Sequence, residues 1–183
     1  MSGSFWDDRY GGEEFAYGTE PNDFLAANAG YLPAGGRILL PADGEGRNSV
    51  WLAEHGFAPV AVDFSAMGLE KAQSLASERG VSIETVCADL TEWEWPCGSF
   101  DGVVAIFCHL PPEARRTVHR AMLAALRPGG RLLLEAYTPA QLEYGTGGPP
   151  VEEMLYAREL LEEDFREANI LALTEVVRPV QEG

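Results

Sequence analysis

The chain has 183 residues, 46% of them hydrophobic, with 13 lysines and arginines against 29 aspartates and glutamates, a formal net charge of −16. That length favours one domain with one continuous core, and that hydrophobic share is too high for a disordered chain. The acidic excess argues against nucleic acid or an anionic membrane surface as a bulk partner, because both call for a basic footprint.

The three cysteines, Cys87, Cys97 and Cys108, are odd in number and stand in neither a CxxC nor a Cys/His zinc pattern. A reduced, cytoplasmic setting without a metal is expected. No basic stretch followed by an apolar run opens the chain, and the apolar run from Val103 to Cys108 is far too short to span a bilayer.

Short apolar runs alternate with amphipathic segments. Arg37-Ile38-Leu39-Leu40 reads as a buried strand that stops pairing at Pro41, which has no N–H. Ser49 to Glu54 reads as a helix ended near Gly56, and Pro59 to Asp63 as a second strand. Ser65 is placed to cap the next helix, whose Leu69, Ala72 and Ala76 share a face and whose C′ residue is Gly80. Val81 to Cys87 alternates and is β-branched, hence a third strand. Asp101 to Cys108 is continuously apolar, as a parallel strand covered on both faces should be. Pro112 opens a helix over Glu113 to Arg127, Pro128-Gly129-Gly130 ends it, and Arg131 to Ala136 forms a fifth strand. Glu159 to Ala168 is a predicted helix and Ile170 to Val177 a predicted sixth strand. The clusters Glu152-Glu153 and Glu162-Glu163-Asp164 read as solvated helix faces. This alternation predicts a doubly wound, mostly parallel α/β sheet of Rossmann type.

The first strand runs into Pro41-Ala42-Asp43-Gly44-Glu45-Gly46-Arg47-Asn48 before a helix. Small residues at Ala42, Gly44 and Gly46 permit a tight turn and close backbone approach to a ligand. Asp63, at the end of the second strand, faces that turn across the crevice in such a fold and can accept hydrogen bonds from a ribose. Asp89, after the third strand, either accepts from the amino group of an adenine or caps a turn. A dinucleotide pattern would place a third glycine where Ser49 stands.

With these elements in order, the sequence resembles a class I S-adenosylmethionine-dependent methyltransferase. The likeness rests on the Gly44-x-Gly46 turn, Asp63, Ala88-Asp89-Leu90, Phe100-Asp101-Gly102-Val103-Val104 and Leu126-Arg127-Pro128-Gly129-Gly130-Arg131-Leu132. It is finest to the small tellurite-resistance and thiopurine-type branch, through Trp6-Asp7-x-Arg9-Tyr10, Tyr17 to Leu25, Gly46-Arg47-Asn48-Ser49 and Phe107-Cys108-His109-Leu110-Pro111. The resemblance implies one methyltransferase domain over 1–183, with 1–33 covering the cofactor and acceptor and 34–183 forming the core. It implies S-adenosylmethionine as cofactor, held by Ala42, Asp43, Gly44, Gly46, Asp63, Phe64, Ala88, Asp89, Leu90 and Ile106. The family's acid and glycine are replaced by Leu40 and Ala42. The family also closes its sheet with a seventh, antiparallel strand; the sequence stops at Gly183 without one, and a natural chain that continues is expected.

The reaction so implied is in-line methyl transfer to a small molecule; a soft sulfur, selenium, tellurium or oxyanion acceptor needs no general base, whereas an oxygen or nitrogen acceptor can call for one. His109 either accepts a proton or caps a helix, and Cys108 is either a soft contact or a core residue. Trp6, Tyr10 and Tyr17 either form a lid or anchor the N-terminal segment. Arg9 and Arg47 either bind an anion or form surface ion pairs. Tyr137 and Gln141 are placed to line the acceptor pocket, and Trp93 and Trp95 to pack. The rival readings are a non-catalytic nucleotide-binding module on the same fold and a nicotinamide-dependent oxidoreductase.

Overall fold

All of the first five predicted strands find a ladder, and every pairing is parallel. In the computed structural model, which describes residues 3–180, they are β1 (Arg37–Pro41), β2 (Ala58–Asp63), β3 (Glu84–Cys87), β4 (Phe100–Ile106) and β5 (Leu126–Glu135). Met1, Ser2 and the last three residues, to the chain end at Gly183, lie outside the described residues. The strand order is β3-β2-β1-β4-β5. The chain winds outward from β1 to β3 and then returns to β1's other side, so the carboxyl ends of β1 and β4 flank the switch point where such sheets bind ligands.

The helices are α1 (Gly3–Tyr10), α2 (Asp23–Asn28), α3 (Arg47–Glu54), α4 (Ala66–Glu78), α5 (Pro112–Ala125), α6 (Gln141–Tyr144) and α7 (Arg158–Asp164). Strand alternation divides the core. Leu39, Val60, Val62, Phe100 and Val103 face Val118, Met122 and Ala125 of α5 on one side. Ile38, Leu40, Val104 and Ile106 face Leu25, Leu32 and Leu52 on the other. Leu40, standing where the family carries an acid, is thus a packed core residue, 1% exposed. Ser65 caps α4 as expected, accepting from Gly68 N–H. Trp93 and Trp95 pack against the first cluster.

Pro41 ends pairing on one side only. The β1–β4 register runs no further than Leu39 opposite Val103. Toward β2 the register reaches Pro41 opposite Val62, and Ala42 N–H donates to the Val62 carbonyl at 2.7 Å. Alternate residues of a strand point their amides to opposite neighbours, so the missing N–H of Pro41 matters only on its own side.

Three other expectations need correction. Val81 and Ile83 pack against α4 instead of opening β3, which begins at Glu84. Asp164 is not on a solvated face: it is buried and accepts from Arg115 Nε at 3.0 Å and lies 2.9 Å from Nδ1 of the buried His119. Residues 170–177 are not a strand among the described residues, because a strand requires a ladder and none of β1–β5 pairs with them. Ile170, Leu171, Val176 and Val177 are exposed. The segment is tied down at its middle, where Arg158 donates to the Leu173 carbonyl, and just beyond its end, where Arg178 pairs with Glu135 at 2.6 Å.

Candidate active site

The β1–α3 turn is built on left-handed backbone. Ala42, Gly44 and Gly46 have φ of 56°, 60° and 86°, which makes Ala42 one of two non-glycine residues with positive φ among those described. The buried Asp63 carboxylate holds the turn from across the crevice: Oδ2 accepts Gly44 N–H at 2.8 Å and Oδ1 accepts Ser65 N–H at 2.9 Å. Burial raises its pKa against the pull of these bonds. A carboxylate has about four lone-pair sites, so two N–H donors leave room for ribose hydroxyls.

The N-terminal segment is laid over this turn. Tyr10 is buried, and a Cβ at Gly44 would sit 2.7 Å from its hydroxyl. Trp6 stacks on Tyr10 with centroids 5.5 Å apart, and Asp7 accepts from the Ser65 hydroxyl at 2.5 Å. Arg9 lies over the Tyr17 ring at 5.3 Å, and Arg47 Nη1 donates to the Tyr17 carbonyl at 3.4 Å. Glu45, also buried, accepts Ala16 N–H and pairs with Lys71, both at 2.7 Å. Trp6, Arg9, Tyr17 and Arg47 are therefore brought together beside the turn.

Further along the edge, Phe64 is exposed and Ala88, Leu90 and Ile106 are half-buried to buried. Asp89 caps locally, its Oδ1 accepting Thr91 N–H at 2.8 Å and Thr91 Oγ1–H at 2.6 Å. Asp43 departs from expectation. Both of its carboxylate oxygens are shut off from solvent beside the Ser49 hydroxyl and N–H at the start of α3, so no oxygen is presented to the crevice.

His109 is a clamp. Its Nδ1 lies 2.8 Å from the Met154 carbonyl, and Nε2 accepts Tyr137 N–H at 3.1 Å. A carbonyl only accepts and an amide only donates, so the ring is neutral with the proton on Nδ1. Burial lowers its pKa, in keeping with that form. Tyr137 lies between rings, 4.4 Å from Phe107 and 5.7 Å from His109. Replacing His109 by leucine leaves two partners unpaired, each expected to cost about 1–3 kcal/mol in urea unfolding. The shape of any pH–rate profile between 5.5 and 8 should stay unchanged; loss of a limb in the variant would restore His109 as a base. Cys108 is a core residue whose thiol is pushed up to about 12 by burial.

Two residues at this edge were not singled out as site residues by the sequence. Asn22, whose side chain caps α2, also donates from Nδ2 to Glu135 Oε2 at 2.7 Å, while its N–H bonds Asn48 Oδ1 at 2.9 Å. Phe107, at the end of β4, has φ 51°, an unfavourable value for an aromatic residue and a mark of functional sites. The cap pattern Asn22-Asp23 was a signal for the first; the second stands in the Phe107-Cys108-His109 run, which gave no sign of its backbone conformation. The edge crevice continues beneath residues 166–180 into a space of about 2600 Å³ in all, lined among others by Tyr17, Asp63, Phe107 and Tyr137. Single ligand pockets are roughly 300–1000 Å³, so only part of it is a ligand site.

A parallel sheet of this order, with a left-handed turn after β1 and a buried carboxylate at the end of β2, defines a Rossmann-like α/β protein with a nucleoside-type crevice. Residues 38–130, half of the chain, match the methyltransferase domain family. The chain belongs to that family, as a class I S-adenosylmethionine-dependent methyltransferase domain. It is 27% identical over 175 residues to a thiopurine S-methyltransferase of Nitrosospira multiformis, covering 82% of this chain and 76% of the relative. An S-adenosylmethionine-dependent methyltransferase structure from Mesorhizobium loti is 27% identical with a TM-score of 0.55, over 62% of this chain and 53% of that one. The PH0226 protein of Pyrococcus horikoshii shares the fold, with a TM-score of 0.72 at 21% identity over 86% and 84% of the two chains. The chain spans about half the length of other curated relatives, 54% in one case. Among the described residues no helix is long and apolar enough to cross a membrane.

Proposed function

We propose that this chain transfers the methyl group of S-adenosylmethionine to a small, soft nucleophile at the carboxyl edge of the sheet. The observation that carries the reading is the β1–α3 turn, whose left-handed residues are held open by Asp63 and roofed by the N-terminal segment. In this reading Ala42, Gly44 and Gly46 make room for the donor, and Asp63 accepts from its ribose. Phe64, Ala88, Asp89 and Leu90 frame the adenine, with Ile106 at the edge of β4. Trp6, Arg9, Tyr17 and Arg47 close the front, while Phe107, Tyr137 and Gln141 line the acceptor side.

When bound, the donor supplies a methyl group already activated by positive sulfur. The chain's own part is to hold donor and acceptor in line at about 3–3.5 Å and to keep water out. His109 has both nitrogens engaged and the Cys108 thiol is buried, so neither serves as a base. That favours an acceptor that arrives nucleophilic, such as a thiolate or a selenite- or tellurite-type oxyanion. The test is calorimetric titration with S-adenosylmethionine, its demethylated product and nicotinamide dinucleotide, followed by turnover with thiol, oxyanion and phenol acceptors. Binding of the first two and methylation of a thiol or oxyanion is the expected result. Donor binding without turnover would leave a binding module, and preference for the dinucleotide would overturn the reading.

A further inference from the structure

Three carboxylates are buried at the β1–α3 turn, and two are satisfied. Glu45 bonds Ala16 N–H and Lys71, and Asp63 bonds Gly44 and Ser65 N–H. Asp43, between left-handed Ala42 and Gly44, has two solvent-shielded oxygens, no ion-pair partner as close as Lys71 is to Glu45, and only the Ser49 hydroxyl and N–H bearing on its carboxylate. A buried carboxylate so placed is expensive to keep charged. The groups around it pull in both directions. Arg47 and Ser49 of α3 favour the charged form, whereas Asp63 at the end of β2 opposes it. Tyr10 of α1 closes the turn from the far side and feels the Asp43 and Glu45 charges. Nearby Lys71 of α4 is already committed to Glu45.

Resting on the donor reading above, we infer that Asp43 senses the charge of the ligand in the turn. It gives its proton to solvent when the sulfonium donor binds and takes one back from solvent once sulfur is a neutral thioether. Asp43 thereby favours donor over product without touching either. It is a positioning residue acting through the field at the turn, and the reaction itself gains and loses nothing. The Asp43 carboxyl is pushed up to about 7 by burial, within reach of a nearby positive charge.

The test is proton-linked calorimetry on the whole chain at pH 7, in two buffers of different ionisation enthalpy. S-adenosylmethionine should release about half a proton and its demethylated product markedly less, because a group titrating near the working pH is half ionised. Donor affinity should rise about fivefold from pH 6 to pH 8 and product affinity less than twofold, as one pKa unit of coupling on a group titrating near pH 7 gives. Asp43→Asn should bind both ligands with neither the proton release nor the pH dependence. Equal release by donor and product, or undiminished release in Asp43→Asn, overturns the inference. The wild-type comparison decides it even where the variant does not fold. Absence of any donor binding to wild type instead overturns the donor reading on which the inference rests.

Discussion

Gly46→Ala is expected to cost about 2–5 kcal/mol of stability and to abolish donor binding. Gly46 has φ 86°, and a left-handed residue with a Cβ costs about 1–2 kcal/mol. The added methyl also has nowhere to go: it would stand 2.5 Å from Ala72 Cβ and 2.8 Å from Ala72 Cα. Ala72 is fully buried in α4, so relief requires moving a helix, and overpacking of that kind costs about 1–3 kcal/mol. Gly46 is also the residue before α3, and its carbonyl receives Val50 N–H and the Ser49 hydroxyl. A shift there is carried directly into the turn that approaches the ligand. Gly80→Ala supplies the control, since its φ is 70° but nothing lies within 4 Å of the new Cβ. Urea midpoints should fall much further for Gly46→Ala than for Gly80→Ala. Equal losses would mean that Ala72 yields freely and that the close packing of α4 on the turn is unimportant.

The parts of this fold that could be read from the sequence are those set by local rules. β1, β2, β4 and the ladder of β5 are short apolar runs punctuated by glycine and proline, and α4 announces itself by Ser65 and Gly80. The turn and the end of β2 were legible for the same reason, since composition alone puts small residues and an acid there. What Asp63 bonds was not legible, because its partner Gly44 N–H lies 19 residues away and is chosen by tertiary packing. His109 read either as a base or as a helix cap, and neither reading named its partners, because Met154, 45 residues on, and Tyr137 take its two nitrogens. Asp164 sits in an acidic run yet is buried because Arg115 and His119 of α5 supply its partners. Residues 170–177 show the opposite failure. Their apolar, partly β-branched run states a strand preference, but pairing is a property of two strands, and the described residues contain no second one for them.

Asp63→Ala should lower donor affinity by at least tenfold. The argument has two independent parts. Charge-assisted bonds from a carboxylate to ribose hydroxyls contribute roughly 1.5–3 kcal/mol each, and a tenfold change corresponds to about 1.4 kcal/mol. The second part is the turn itself, because the alanine leaves Gly44 N–H and Ser65 N–H without their acceptors in a buried place. Each such orphan costs about 1–3 kcal/mol, so stability falls as well. Asp63→Asn separates the two contributions. The amide oxygen still accepts from one N–H, while the amide nitrogen meets the other donor and repels it. Asparagine should therefore fold better than alanine at position 63 yet bind the donor almost as weakly. Calorimetric titration and urea unfolding of both variants check this. Undiminished affinity in either would show that the ribose is held elsewhere and that Asp63 serves only to fasten the turn.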